Sequence, residues 1–258
     1  MIIRKSPAEI EQMAKAGEVV AETLALVGEH ARPGVRTEEL DALAEEFILS
    51  KGGAPTFKGY RGYPASICAS PNSMVVHGIP GPYELAEGDV ISIDVGVTLN
   101  GLVADSAFTF PVGEISGEAQ HLLETCQASL TAGIEQARPG NRLSDISHAI
   151  QTVTEAGQCA IVRSLVGHGV GRAMHEDPQI PNFGEPGRGP ELQVGMTLAI
   201  EPMINLGGAG IFVHDDQWSI STNDGSLSAH FEHSVAVTEE GPRILTQAAR
   251  PVGARLLR

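Results

Sequence analysis

The sequence predicts a mixed α/β protein built from two similar halves. Helical and strand-like hydrophobic patterns both occur along the chain, which is typical of folds that pack helices on sheets. One hexapeptide and one strand pattern each occur twice, in the same order. No polar linker separates the two copies, so we expect them to pack together as one unit.

The first half opens with two helices. A capping-box pattern at residues 6–9, Ser-Pro-Ala-Glu, places proline at the first helical position. Apolar residues then recur at helical spacing until Arg-Pro-Gly at residues 32–34. A second helix is predicted to begin at Thr37 and to end before the glycine pair at residues 52–53.

Strands follow the helices. Residues 54–82 are rich in proline and glycine and predict short strands and loops. The nearly continuous β-branched run from Val90 to Val97 predicts a buried strand. Residues 101–110 are predicted to be its hairpin partner, because Asn100-Gly101 favours a tight turn.

The second half repeats this plan. Ala-Arg-Pro-Gly-Val-Arg at residues 31–36 reappears as Ala-Arg-Pro-Gly-Asn-Arg at residues 137–142. The strand pattern ending in Ile-Asp at residues 88–94 reappears with Ile-Glu at residues 195–201. Each copy of the hexapeptide lies where one helix should end and the next begin.

Two further helices are therefore predicted, over residues 116–137 and 144–156. We expect residues 1–258 to form a single domain. Its internal pseudo-repeats would span about residues 5–115 and 116–241.

Acidic residues hold matching positions in the two copies. Asp94 and Glu201 end the repeated strand pattern, whereas Asp105 and Glu232 begin alternating strands. Because pseudo-symmetry brings equivalent strands together, we expect Asp94 to face Glu201 and Asp105 to face Glu232. Each acid taken alone also fits an exposed strand end. Four converging buried carboxylates would need cations, and such oxygen donors with an imidazole suit Mn, Fe, Co or Zn.

Composition excludes several classes of protein. The formal net charge of −15 disfavours nucleic-acid binding. The chain has no apolar run long enough to span a membrane and no signal-peptide pattern. Its three cysteines, Cys68, Cys126 and Cys159, are scattered, which fits a reducing cytoplasm.

A set of short motifs, in this order, resembles the type I methionine aminopeptidases, in their short bacterial form. The similarity runs from about Lys5 to Gly241. The motifs are Met-Val-Val-His-Gly-Ile-Pro at residues 74–80, Ile-Asp-Val-Gly at 93–96, Asp-Ser-Ala-Phe-Thr at 105–109, Gly-His-Gly-Val-Gly at 167–171, Met-His-Glu-Asp-Pro at 174–178, Ile-Glu-Pro at 200–202 and Phe-Glu-His at 231–233.

The resemblance implies a pita-bread fold, in which two helix-helix-strand halves surround a central antiparallel sheet and a dinuclear metal centre. It implies five metal ligands, with Asp105 and Glu232 bridging two divalent ions. Asp94 would complete one site, and His168 with Glu201 the other. The implied activity is removal of the initiator methionine when the second residue is small, by a hydroxide that bridges the two metals.

The resemblance also assigns catalytic and substrate-binding roles. His77 and His175 would contact the substrate near the scissile amide, with His175 stabilising the oxyanion. Glu201 would shuttle a proton to the leaving nitrogen. The implied methionine pocket consists of Phe57, Tyr60, Tyr63, Cys68, Met174 and Trp218. A monovalent cation is implied near Asn72, Met74 and Ser228.

The remaining histidines have ordinary structural interpretations. We expect His30, His121, His148 and His214 to be exposed or to form hydrogen bonds. His230 and His233 flank Glu232 in the chain. Strand alternation predicts that both their side chains lie on the opposite face from the metal centre.

Nascent polypeptide N-termini are the implied substrate, and the family implies a monomer in the cytoplasm. Transient contact with the ribosome stays open, although the acidic surface gives no electrostatic reason for tight binding.

Three alternatives compete with this interpretation. Prolidases, proline aminopeptidases and creatinases share the fold but usually carry a further N-terminal domain. Type II methionine aminopeptidases carry an insertion for which His168, Glu201 and Glu232 lie too close together in the chain. A non-catalytic binding protein on this fold would lose metal ligands, and all five are present.

Overall fold

The computed structural model describes residues 1–247. Its α-helices are α1 Pro7–His30, α2 Thr37–Ser50, α3 Gly117–Glu135 and α4 Leu143–Ala156, with a short 3₁₀ helix at Tyr60–Gly62. The strands in chain order are β1 Ala54–Pro55, β2 Cys68–Pro71, β3 Met74–Val76, β4 Val90–Leu99, β5 Leu102–Pro111, β6 Ala160–Ile161, β7 Val166–Gly169, β8 Glu176–Pro181, β9 Thr197–Ile200, β10 Met203–Asn205, β11 Ile211–Val213, β12 Ile220–Thr222, β13 Ser228–His230, β14 His233–Thr238 and β15 Gly241–Ile244.

Helix α1 begins where the capping pattern predicts. The Ser6 hydroxyl accepts a hydrogen bond from the Glu9 backbone N–H, and the Glu9 carboxylate accepts one from the Ser6 N–H. The apolar face of α1 is buried, with Met13, Val20 and Val27 fully enclosed. Burial of this face fixes α1 against the hairpin of β4 and β5.

The two halves use the same connection between their helices. In the first half the Glu39 carboxylate accepts a hydrogen bond from the Arg36 backbone N–H, at 2.8 Å. In the second half Asp145 accepts one from the Arg142 N–H, at 2.7 Å. Arg36 and Arg142 also form equivalent antiparallel bridges, to Glu84 and Glu191. The repeated hexapeptide therefore marks a repeated structure.

The first half is centred on the hairpin of β4 and β5. Leu99 pairs with Leu102, and Asn100 and Gly101 both have positive φ, of 50° and 82°, as a type I′ turn requires. Strands β1 and β2 pair with β4. This register fixes which side chains of the hairpin share a face.

The second half contains a five-stranded antiparallel sheet in the order β15-β14-β9-β7-β8. Strand β14 also lies beside β5, because the Asp105 N–H donates to the Ser234 hydroxyl and the Glu232 N–H donates to the Ala107 carbonyl, both at 2.9 Å. Two three-stranded sheets, β13-β10-β6 and β11-β12-β3, complete the β structure.

The apolar core follows the two halves. One buried cluster packs α1 and α2 against the first hairpin, and another packs α3 and α4 against the larger sheet. A third cluster, which includes Phe57, Tyr63, Cys68 and Met174, lies between them. The predicted mixed α/β fold with two similar halves is confirmed. None of the described helices is long and apolar enough to cross a membrane.

Candidate metal centre

Glu201 and Glu232 lie in two facing interruptions of the β ladder. The register pairs Ile200 with His233 and then Met203 with His230. The two residues between them on each chain segment belong to no strand. Pro202 has no N–H to donate, which favours a break at this point. The break frees both glutamates from strict strand alternation.

Asp94 and Asp105 come from the first hairpin. Asp94 pairs with Ala107, and Asp105 pairs with Gly96, so the two aspartates lie diagonally on the same face of the hairpin. Both are buried, with exposed fractions of 9% and 2%. Gly96 leaves the space opposite Asp105 free for the Phe57 ring, since an added Cβ would lie 2.8 Å from that ring.

His168, on β7, directs its Nε2 atom at the acids. This atom lies 3.4 Å from Glu201 Oε1 and 3.9 Å from Asp105 Oδ2. Its Nδ1 atom lies 2.9 Å from the Gly169 carbonyl oxygen. Because a carbonyl can only accept, Nδ1 carries the hydrogen and Nε2 presents a lone pair. This is the tautomer that a metal-binding imidazole needs.

The acids strongly affect one another's ionisation. Burial raises the pKa of Asp94 to about 7. Burial, followed by the charges of the neighbouring acids, holds the pKa of Asp105 and of Glu232 well above the usual range. Burial alone does the same for Glu201. Such a cluster cannot be fully ionised without added positive charge.

Several buried atoms of this cluster have no hydrogen-bond partner among the described residues. They are Asp94 Oδ1, Asp105 Oδ1, Glu232 Oε1 and His230 Nε2. Buried polar atoms in proteins nearly always have a partner. Ligand atoms of Asp105, His168 and Glu232 lie within 4.8 Å of one another. Carboxylate oxygens with an imidazole nitrogen suit divalent transition metals, so these residues fit such ions.

The prediction for His230 is wrong, because its side chain faces the acids. Its Nε2 atom lies 3.6 Å from Glu201 Oε2 and 3.9 Å from Glu232 Oε2. His230 lies two residues before Glu232, so alternation along a strand places these two side chains on one face and sends only the neighbouring His233 to the other. His233 does point elsewhere, with Nδ1 2.9 Å from the Thr246 hydroxyl.

A cavity of about 270 Å³ opens over these acids. It is lined by every side chain singled out for metal, catalysis or methionine binding, namely Phe57, Tyr60, Tyr63, Cys68, His77, Asp94, Asp105, His168, Met174, His175, Glu201, Trp218 and Glu232. Further lining residues, which the sequence did not single out, are Arg61, Val76, Ser164, Leu165, Val166 and Met203.

The apolar end of the cavity is rigidly built. The Tyr63 ring contacts Trp218 edge-on, with ring centroids 5.1 Å apart. The Tyr63 hydroxyl lies within hydrogen-bond distance of the Ile67 and Gly78 carbonyl oxygens, at 3.0 and 2.9 Å. Burial raises the pKa of the Cys68 thiol, so it stays uncharged. An uncharged thiol beside aromatic rings suits an apolar guest.

His175 and His77 lie on the cavity wall. His175 Nδ1 is 2.9 Å from the Tyr60 hydroxyl, and its ring centroid is 4.3 Å from that of His168. His77 follows β3 with φ of 58°, a strained conformation of the kind found at functional sites. Burial lowers the pKa of His77 to about 4, and burial followed by the charge of Arg61 lowers that of His175. Both imidazoles are neutral at pH 7.

A buried ion pair supports the His175 segment. Lys5 Nζ contacts Glu176, and their side chains are only 1% and 4% exposed. The other Glu176 oxygen accepts hydrogen bonds from the Arg172 and Ala173 backbone N–H groups, at 2.6 and 3.0 Å. Lys5 and Glu176 are 171 residues apart in the sequence, so no local sequence pattern could predict that they form a pair.

The residues predicted to bind a monovalent cation and four of the remaining histidines lie outside the cavity lining. The Asn72 carbonyl accepts a hydrogen bond from the Ser228 N–H at 3.0 Å, and Met74 begins β3. The side chains of the other four histidines each lie near a carbonyl or hydroxyl oxygen outside the cavity lining; these histidines are His30, His121, His148 and His214.

Comparison with known proteins identifies relatives of this architecture. The family model of metallopeptidase family M24 matches residues 11–239. The chain is 54% identical to a methionine aminopeptidase of Clostridium perfringens, over 95% of this chain and 99% of that protein. It is 52% identical to methionine aminopeptidase 1 of Bacillus subtilis, over 96% and 100%.

A solved structure leads to the same relatives. The crystal structure of a methionine aminopeptidase from Thermotoga maritima superposes with a TM-score of 0.94 at 45% identity, covering 96% of this chain and 100% of that one. The family model, these identities and the shared architecture all point to the same group of proteins. The chain belongs to metallopeptidase family M24 and, within it, to the methionine aminopeptidases.

Proposed function

We propose that this protein hydrolyses the first peptide bond of polypeptides that begin with methionine, in a metal-dependent reaction. One observation carries this proposal: buried acids from both halves meet His168 at the floor of a cavity with an apolar end. The relatives named above supply the substrate, since each is called a methionine aminopeptidase.

The residues that would hold the metals are those at the cavity floor. Asp94, Asp105, His168, Glu201 and Glu232 would hold two divalent ions through their carboxylate oxygens and one imidazole nitrogen. When bound, such divalent ions act as Lewis acids and lower the pKa of a bound water towards neutrality. Cobalt, manganese, iron and zinc all suit this donor set.

His175 would stabilise the negative charge that develops on the scissile carbonyl oxygen. If the Tyr60 hydroxyl donates to His175 Nδ1, then Nε2 carries the hydrogen and can donate it to that oxygen. The lowered pKa of His175 keeps the imidazole neutral, so its orientation is set by Tyr60 and not by charge. Donors placed in advance in this way account for large rate effects.

Glu201 and His77 would handle the leaving group. Glu201 would take up a proton on a carboxylate oxygen and deliver it to the leaving nitrogen, since its side chain lines the cavity. His77 would accept or donate a hydrogen bond at the peptide nitrogen side of the substrate. Both residues line the same cavity as His175.

The apolar end of the cavity would bind the methionine side chain. Tyr63, Trp218, Cys68 and Met174 supply aromatic and soft walls, which a flexible thioether fills well. Phe57 and Tyr60 complete this end. The small volume of the cavity would restrict the first residue and leave the remainder of the substrate outside.

Other expectations complete the proposal. We propose that residues 1–258 act as one monomeric catalytic domain, that a monovalent cation binds near Asn72, Met74 and Ser228, and that nascent chains are the natural substrate, with transient ribosome contact. The three free, buried cysteines support a cytoplasmic location.

The direct test measures methionine release from Met-Ala and Met-Gly peptides by chelator-treated protein, before and after cobalt or manganese is restored. We expect activity only with metal, and little release of the first residue from Ala-Pro peptides. Asp105→Asn should abolish turnover, whereas the exposed Asp224→Asn should not. Preferential cleavage of X-Pro bonds, or full activity in chelator, would overturn the proposal.

A further inference from the structure

We infer that His230 is an additional protein ligand of the metal centre, giving a nitrogen donor to the ion that Glu201 and Glu232 hold. The inference rests on the proposed metal centre and extends its donor set from one imidazole to two. The sequence pattern assigned no role to His230, and its side chain lies beneath the acids, outside the cavity lining.

The burial of His230 calls for a partner. The residue is only 2% exposed, and its Nε2 atom has no hydrogen-bond partner among the described residues. The nearest charged atoms are oxygens of Glu201 and Glu232, at 3.6 and 3.9 Å, beyond ordinary hydrogen-bond distance. A buried imidazole nitrogen that is directed at two carboxylates, yet hydrogen-bonded to neither, is placed as a metal ligand would be.

The spacing of these atoms fits one ion between them. Ligands bound tetrahedrally at about 2.1 Å lie about 3.4 Å from one another. Glu201 Oε2 and His230 Nε2 are 3.6 Å apart, close to this value. Ligand atoms of Glu201, His230 and Glu232 all fall within 4.8 Å of one another. The three side chains therefore need only small movements to bind a common ion.

Glu201 lies between two imidazoles. Its Oε1 atom is 3.4 Å from His168 Nε2, and its Oε2 atom is 3.6 Å from His230 Nε2. The carboxylate therefore presents one oxygen to each histidine. In this arrangement the ion that Glu201 holds would lie within reach of both imidazole nitrogens.

The backbone holds His230 in this position. Its N–H donates to the Thr109 hydroxyl at 2.9 Å, and that hydroxyl donates to the His230 carbonyl, also at 2.9 Å. On the other side of the His230 backbone, strand pairing with Met203 holds it in place. Because the main chain is held on both sides, the imidazole is placed in advance for binding.

A second imidazole has a consequence for metal choice. Imidazole suits zinc, cobalt and iron better than it suits magnesium or calcium, which prefer oxygen alone. A second nitrogen at the ion that Glu201 and Glu232 hold should strengthen the preference for these metals there. Loss of His230 should therefore weaken one ion selectively.

The test uses protein labelled with ¹⁵N-histidine, cleared of metal with chelator and loaded with ¹¹³Cd²⁺. A nitrogen bonded to cadmium shows a one-bond ¹⁵N–¹¹³Cd splitting. We expect two split imidazole nitrogens in the unaltered protein. One should vanish in His168→Gln and the other in His230→Gln, and calorimetry should show one cadmium bound about 10–100-fold more weakly in His230→Gln.

The matched control is His233→Gln, which alters a nearby half-buried histidine whose Nδ1 lies beside the Thr246 hydroxyl. It should keep both splittings. The His168 splitting that persists in His230→Gln also reports an intact fold. A single split nitrogen, lost only in His168→Gln, would overturn the inference while leaving the metal centre in place. Absence of cadmium binding in the unaltered protein would overturn both.

Discussion

Single atoms at the cavity floor decide what this site can bind. Asp94, Asp105 and Glu232 each have a buried oxygen that finds no hydrogen-bond partner within residues 1–247. Leaving such atoms unpaired costs about 1–3 kcal/mol each. Bound cations would offset that cost.

At this scale His175 should separate metal binding from turnover. His175→Ala removes the donor to the carbonyl oxygen but none of the acids, so kcat should fall by about 10²–10³ while two ions still bind. Peptide kinetics and metal analysis of the same sample check this. His30→Ala, an exposed histidine bonded to the Leu26 carbonyl, is the control. A near-normal rate in His175→Ala would refute the role.

Residue types alone predicted much of the site. Asp94 and Glu201 end apolar runs at equivalent positions of a repeat, so their convergence was visible in the chain. His230 was missed because alternation was applied to it wrongly, at a spacing of two residues from Glu232. The spacing His-Phe-Glu at residues 230–232 was itself the signal, since residues i and i+2 of a strand point to the same side.

Elements position these residues through contacts remote in sequence. The N-terminal segment places Lys5 against Glu176 at the start of β8, and Glu176 holds the backbone just before His175. Caps and apolar spacing predicted the helices well: α3 was expected over residues 116–137 and spans Gly117–Glu135. No local pattern could reveal the ion pair, because its members meet only in the folded chain.

Lys5→Met should therefore be costly. It leaves the Glu176 carboxylate buried without its cation, and breaking such pairs destabilises proteins by about 3–5 kcal/mol. Urea denaturation at fixed metal concentration measures this change. The His175 segment should also loosen, seen as shifted His175 NMR resonances and a lower kcat.

Arg243→Met is the matched control for that experiment. It removes an ion pair with Glu11 whose side chains are 43% and 62% exposed, so the free energy of unfolding should change little. Equal effects of the two substitutions would show that burial of the Lys5 pair contributes nothing special.

The molecule consists of two structurally similar halves, and the acids meet where the halves pack together. Matched caps at Arg36 and Arg142 repeat the helix connections, and each half packs its own apolar cluster. The hairpin contributes two aspartates, and the interrupted ladder contributes two glutamates. The repeat in the sequence predicted this convergence, whereas the distances within it depend on packing between halves.

Binding of metal ions by the whole molecule should be coupled to the release of protons. Acids with raised pKa, including Asp94 at about 7, hold protons in the metal-free protein near neutral pH. Ions must displace those protons, so affinity should rise as pH increases through about 7.

The most direct test of the account is calorimetric titration of chelator-treated protein with Co²⁺, in two buffers of different ionisation enthalpy, beside Glu232→Gln. We expect two ions per chain, with protons released on binding, and at most one weakly held ion in Glu232→Gln. No binding by the unaltered chain, or two ions bound equally well by Glu232→Gln, would contradict the claim that acids from both halves share a pair of ions.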